Sequence, residues 1–449
     1  MGKLKHKAPL PVIILIIAFL CPTELSVYIA GLRFPPHRVA AIILFPMAII
    51  SLLSQRGLKL RGFDIAFIVF NIWTVAMYMR HMGEQEGLVY GGSLALEGLG
   101  PYLVARVWIR TQDQMRGALN AMAIAIAFAA LVALPETLFG QIFTHELLRA
   151  ITGYVHPIGI ETRMGLTRAY GTFDHPIHYG TFCAALLALF WFAEQKTVNK
   201  LKRAALLCSA TVLGLSSAPL LCLGIQIGML IWEKATRRLK GRAALTWVVV
   251  AGLYIGASMF STRGPIAVIA TGMTLDPWTG FYRLMTWEFG LDNVWANPIF
   301  GIGLAEWDRP AWMVSSTVDA FWLVILMRTG VPALLFIIIA IGLLARGVVK
   351  RGLTQKDADA RRLARGWNMS LIAFCLIATT VHLWNVPYAF FFFFLGMAGW
   401  LADPVRVKAK AKVAKPVQPH TLPAKRPYVP AIQPVPEFPG MQIPGGLPA

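Results

Sequence analysis

DAFWLVILMRTGVPALLFIIIAIGLLARG, residues 319–347, is the stretch from which the rest of the chain can be read. Its apolar residues run on without alternation, so it is a helix rather than a strand. It is long enough to cross about 30 Å of hydrocarbon, which takes roughly 20 residues. Gly330-Val331-Pro332 interrupts it and predicts a kink, because proline removes an amide donor and clashes with the preceding turn. If the break separated two spans, every later segment would change sides.

Working outward, apolar blocks of similar length recur nearly end to end. The predicted spans are 10–31, 37–54, 63–80, 88–108, 116–135, 177–194, 202–216, 218–233, 244–261, 317–346, 367–384 and 387–403. Of 449 residues, 57% are hydrophobic and 14% charged. A soluble chain carries about 25% charged residues, so a soluble domain is excluded. The expected fold is all-α: a polytopic membrane protein of about twelve transmembrane helices. The start, MGKLKHKAPLPVIILIIAFL, resembles a signal peptide without a clean cleavage site and is expected to stay as the first helix.

Net charge is +20, with 42 Lys and Arg against 22 Asp and Glu. The cations cluster at alternate helix ends: Lys3, Lys5 and Lys7; Arg56, Lys59 and Arg61; Arg110 and Arg116; Lys196 to Arg203; Lys234 to Arg242; Arg346 to Arg365. Positive loops mark the cytoplasmic side. With twelve spans all of these clusters share that side, and both termini are cytoplasmic. The same distribution points to membrane topology rather than to nucleic acid. The five cysteines lie in apolar segments and offer neither a disulfide framework nor metal spacing.

Two extracytoplasmic loops, about 136–176 and 262–316, are much longer than the others, and long ordered loops are usually functional. The membrane domain is expected over 1–403. Residues 404–449 open with KAKAKVAKP and then carry frequent prolines, the composition of a disordered cytoplasmic tail. The sequence contains no Walker motif, glycine-rich nucleotide fingerprint, His-Glu-x-x-His or Cys-x-x-Cys pair.

The first loop ends in RAYGTFDHPIHYG, residues 168–180. Pro176 suits a first helical turn, with Asp174 or His175 as the cap. Arg168, His175 and His178 then gather at a helix N-terminus, a natural anion site; an interfacial capping cluster without ligand would look the same. In the second loop Phe281, Met285 and Phe289 can share an apolar face lying on the membrane surface, with Arg283 and Glu288 turned to water. Asn297-Pro298 and Gly301-Ile302-Gly303 then break that helix and permit close backbone approach. Ser316-x-x-Asp319 resembles a capping box, which alone would account for the acid at 319. Glu24, Glu97 and Arg106 stand inside apolar segments, where ionised groups usually mark function or pairing. Arg106, near the cytoplasmic end, is placed to snorkel. Arg33, His37 and Arg38 add positive charge on the side that normally lacks it.

In their order along the chain, ARVWIR (105–110), Arg168 to Gly180, and the block from Arg283 to Leu334 make this sequence similar to the O-antigen polymerase/ligase family. These are bacterial inner-membrane glycosyltransferases that use lipid-linked sugars. An arginine, then Asn-Pro-x-x-Gly-x-Gly, then a polar-headed helix with Arg-Thr-Gly-Val-Pro is the most specific part. Ligases of the group carry a histidine near the start of that helix. Here the residues are Thr317-Val318-Asp319, which looks more like the exopolysaccharide polymerases.

The resemblance implies a donor glycan on undecaprenyl pyrophosphate, an acceptor glycan, and no cofactor, metal or nucleic acid. A chain-length regulator or export complex would be a fitting partner. It also implies Asp319 and His178 as candidate bases, with Arg168, Arg283, His175, Arg163 and Arg38 holding the pyrophosphate. Trp307, Trp312 and Trp322 are candidate sugar-stacking surfaces. A ligase that transfers finished glycan, or a flippase for the same lipid, is the alternative.

Overall fold

A computed structural model describes residues 7–402 apart from 30, 55–57, 155–158, 260–275 and 355–356, together with the isolated positions 428, 430, 431, 433 and 440. The expected disordered tail and the start of the second long loop therefore lie almost wholly outside the described residues.

The chain is helical and of membrane type. In order come α1 (Leu10–Leu20), β1 (Val27–Ile29), β2 (Leu32–Phe34), α2 (Pro36–Ser54), α3 (Gly62–Met82), α4 (Glu84–Trp108) and α5 (Gln112–Phe139). Next are α6 (Phe143–Thr152), β3 (Thr162–Arg163), β4 (Leu166–Thr167), α7 (Pro176–Ala184), α8 (Leu187–Ala193), α9 (Thr197–Leu213), α10 (Ser217–Thr236) and α11 (Arg242–Met259). Last are α12 (Pro277–Ala296), α13 (Phe321–Thr354), α14 (Ala358–Ile377), α15 (Val386–Met397) and α16 (Gly399–Ala402). Both strand pairs are small antiparallel hairpins.

Among the described residues, six helical segments are long and apolar enough to cross a membrane: α2, α3, α5, α7 with α8, α10 and α13. The other six expected spans are shorter or more polar. The first ends at Leu20 rather than 31, because Cys21 and Pro22 turn extended, a 3-10 turn follows at Thr23–Leu25, and the chain enters the β1–β2 hairpin. The span expected at 367–384 is instead Ala358–Ile377, capped by Asp357, whose carboxylate accepts from the Asp359 amide at 2.9 Å. Residues 378–385 then form a polar crossing before α15.

α15 is apolar all round, and Phe390 to Phe394 are fully buried. A helix with no polar face belongs in the middle of a bundle. Its rings pack edge-on or tilted against Phe19, Phe67, Phe182 and Phe374 at centroid distances of 4.9–6.3 Å. Lipid offers no hydrophobic drive between helices, so close packing carries the association, and small residues allow it. A Cβ at Gly396 would meet the Tyr102 carbonyl at 2.2 Å, and one at Gly366 the Ala188 carbonyl at 2.8 Å.

The expected kink in α13 is present at Gly330, with φ 81° and ψ 172°. A kink frees backbone groups that lipid cannot satisfy. The Asn297–Gly303 turn supplies the partners. Ile302 N donates to Met327 O at 2.7 Å, Gly303 N to Arg328 O at 3.1 Å, and Val331 N to Pro298 O at 2.7 Å. Contact is so close that a Cβ at Gly330 would lie 2.0 Å from the Ile299 carbonyl. Gly330→Ala combines that collision with a strained positive φ, so it should destabilise the purified protein by at least about 1–3 kcal/mol. Gly342→Ala, where a Cβ meets nothing within 4 Å, should leave the thermal unfolding midpoint unchanged. Equal midpoints for the two variants would refute the clasp.

Candidate functional site

The first long loop is organised by a residue that the sequence did not single out. Glu136, buried in the last turn of α5, accepts from the Tyr170 and Gly171 amides at 2.9 and 2.8 Å. Just before this, Met164 and Gly165 both take positive φ (54° and 79°) and close the β3–β4 hairpin, as a two-residue turn of primed type requires. The hairpin sets Arg163 and Arg168 at its two ends.

The turn between α9 and α10 meets both arginines. Arg163 donates to the Leu215 carbonyl at 3.3 Å, and Arg168 Nη2 to Ser216 Oγ at 2.9 Å. Ala169 N reaches the Leu213 carbonyl at 3.0 Å. Arg168 also pairs with Glu161, yet its Nε is buried without a hydrogen-bond partner among the described residues.

His175, rather than Asp174, caps α7: its Nδ1 accepts from Ile177 N at 3.1 Å. Asp174 instead receives Thr23 Oγ1 at 2.5 Å and Asn385 Nδ2 at 2.6 Å, tying the loop to the first and last parts of the bundle. Burial, with Arg168, Arg163 and Arg283 adding to it, pushes the His175 pKa down to about 4. His178 turns away from the arginines. Its Nε2 lies 3.3 Å from the His382 carbonyl and its ring 4.4 Å from that of Trp384.

From the second loop comes Arg283. It was expected to face water beside Glu288, and that is corrected here. Arg283, Thr286 and Gly290 are buried on one face of α12, which packs on α13 where Leu323 lies against Gly290, while Glu288 stays exposed. Burial lowers the Arg283 pKa, the Asp319 carboxylate opposes that shift, and Arg163 and Arg168 reinforce it. Its Nε is also buried and without a partner among the described residues.

The capping box expected at Ser316 and Asp319 does not form, because α13 begins only at Phe321, whose amide goes to the Ala378 carbonyl at 2.9 Å. Ser316 gives its carbonyl to Trp307 Nε1 at 2.9 Å. Asp319 makes no hydrogen bond among the described residues, so capping no longer accounts for it. It keeps contact with solvent, but surrounding protein raises its pKa, and only Arg283 pulls the other way.

Arg163, Arg168, His175, Arg283 and Asp319 thus share one electrostatic neighbourhood. Arg38 does not belong to it: it donates to Glu97 at 2.7 Å, with His37 Nε2 3.3 Å from the same oxygen. Arg106 does not snorkel; it is buried and pairs with Asp64 at 3.0 Å. Glu24 pairs with His145 at 2.5 Å. Among the described residues no cluster of His, Cys, Asp and Glu could hold a metal ion. Compared with known proteins, the chain matches no family model and no curated protein.

A neutral His175 implies a pH dependence. Its folded pKa lies below the unfolded value of about 6.5, so its stabilising contribution is complete above about pH 6.5 and is lost as pH falls towards about 4. His175→Asn keeps a good cap and removes the titration. The unfolding midpoint should therefore fall less steeply over that window in the variant than in the unmodified protein; parallel curves would show that His175 does not titrate there.

Proposed function

We propose that this protein is a polysaccharide polymerase, joining glycan repeat units carried on undecaprenyl pyrophosphate at the extracytoplasmic face of a bacterial inner membrane. The observation that carries this reading is the electrostatic coupling of three guanidiniums from stretches more than a hundred residues apart, with carboxylates at Glu161 and Asp319. Two of the guanidiniums, Arg168 and Arg283, keep a buried donor unused. Arginine suits a diphosphate because its planar fork contacts two oxygens at once.

Topology supports the same reading. The site lies where α5 and α9 end and where α7, α10 and α13 begin, opposite the ends flanked by Arg116, Lys196, Lys234 and Arg351. With twelve spans and cytoplasmic termini, the site faces away from the cytoplasm.

In the proposed reaction an acceptor hydroxyl attacks the anomeric carbon of the donor, and the bond from that carbon to the diphosphate oxygen breaks. The electron pair leaves with the lipid diphosphate, where the arginines meet the growing charge; one fixed donor of this kind is worth about 3 kcal/mol in the barrier. The hydroxyl proton passes to Asp319. Between the two candidate bases the geometry favours Asp319, since His178 is engaged with the 382–384 segment. A flippase would need polar groups free at mid-membrane, whereas Glu97 is already met by Arg38 and His37.

Arg168→Ala, Arg283→Ala and Asp319→Asn should each lower chain extension in isolated membranes by roughly 10²-fold or more, with protein levels retained. Single lipid-linked repeats should accumulate on the outer leaflet. Retention on the inner leaflet would favour a flippase, and finished polymer held on its carrier would favour a ligase. Since the base acts when ionised, extension should decline as pH falls through a pKa above the ordinary carboxylate value of about 4. Asp319→Asn should lack that limb.

A further inference from the structure

A separate cavity of about 960 Å³ lies beneath the β1–β2 hairpin, between α3, α4 and the first half of α13. That is at the upper end of the roughly 300–1,000 Å³ usual for ligand sites. It is linked to the end of the first long loop through one segment. Residues 382–385 line it, while from the same segment the His382 carbonyl meets His178 and Asn385 donates to Asp174. Phe321, two residues after Asp319, lines it as well.

Its chemistry differs from that of the arginine site. Arg38 is spent on Glu97 and on the Arg33 carbonyl at 3.1 Å. Arg328 gives its Nη1 to the carbonyls of Gly303 and Ala305 at 2.8 and 2.9 Å, and Arg33 gives its Nη1 to Tyr154. Beside these part-engaged arginines and the exposed Glu86 carboxylate, the lining offers aromatic surface and neutral hydrogen-bonding capacity. Tyr78 and Tyr90 have ring centroids 4.7 Å apart, Trp384 and Tyr388 stand across from them, and Gln85 and Ser93 lie on α4. Flat rings beside amides and hydroxyls suit the alternating apolar and hydroxylated faces of a sugar.

We propose that this cavity receives the terminal sugars of the acceptor glycan, leaving the diphosphate of the donor to Arg168 and Arg283. The assignment rests on the polymerase reading for its role, though not for its chemistry. Gln85 and Tyr90 are exposed side chains, so replacing them should spare the fold.

The test uses full-length protein in lipid nanodiscs, a lipid diphosphate-linked repeat unit as donor, and the same glycan on a short water-soluble aglycone as acceptor. Tyr90→Ala and Gln85→Ala should each raise the acceptor KM roughly tenfold, equivalent to about 1.4 kcal/mol. Tyr90→Phe should restore it. Affinity for inorganic pyrophosphate, read by calorimetry, should stay unchanged in these variants and weaken in Arg283→Ala. An unaltered acceptor KM in both alanine variants would overturn the proposal. So would a loss of pyrophosphate binding in Tyr90→Ala equal to that in Arg283→Ala. If the unmodified protein extends nothing, the polymerase reading fails, and calorimetry with the lipid-free glycan decides the cavity alone. Binding lost in Tyr90→Ala would uphold it, and no binding to the unmodified protein would overturn it.

Discussion

The structure depends on how one helix is allowed to break inside a bilayer. An unsatisfied backbone group in hydrocarbon costs several kcal/mol, and α13 is broken at Gly330, within the first third of its 34 residues. The Asn297–Gly303 turn takes up the freed groups, and Arg328 returns to the turn's own carbonyls. That clasp joins the C-terminal end of α12 to the first third of α13. It therefore fixes the helix that carries Arg283 against the helix whose approach carries Asp319. Two residues 36 positions apart are brought into one electrostatic field by a set of backbone hydrogen bonds to which neither contributes.

Charge within the bundle follows a consistent logic. Burying an ion is costly unless it is paired, and most of the buried ions here are. Asp64 has Arg106 and Tyr102, Glu97 has Arg38 and His37, and Glu24 has His145. These pairs tie neighbouring segments of the bundle together. Arg168, though paired with Glu161, and Arg283 each keep a buried Nε without a hydrogen-bond partner among the described residues. Arg163 and Arg168 both press the Arg283 pKa down, so the three arginines are held together against repulsion. An anion would relieve that repulsion and engage the spare donors at once.

Much of this was legible in the sequence, for identifiable reasons. Helix positions follow from continuous apolar runs, and the kink from Gly330 and Pro332. The glycines at 301 and 303 announced a close backbone approach, and the structure shows what approaches. Arg168, His175 and Asp319 stood out as polar groups at helix ends, while Arg163 and Arg283 were named through the family resemblance. Less visible were positions whose role depends on long-range packing. Glu136 fell at the first position of an expected loop, and no local pattern says that it would collect two amides from residues 34 and 35 positions later. Residues 378–385 were hidden inside an expected span, because Val381, Leu383 and Trp384 read as apolar while the backbone there is not helical. Arg283 was placed on the wrong face, since a surface helix and one packed on a neighbour share the same periodicity. The inward face of α12 is marked by Gly290, whose meaning becomes clear only with Leu323 against it.

The central claim is that the arginine pocket supports repeated glycosyl transfer from a lipid diphosphate. Its most direct test is to place the purified protein in vesicles with a single defined lipid diphosphate-linked repeat unit and to size the products. A ladder of glycans rising in whole repeat units, with free lipid diphosphate released in step, is the expected result. Repeat units recovered unchanged in length, whether moved between leaflets or left in place, would contradict it.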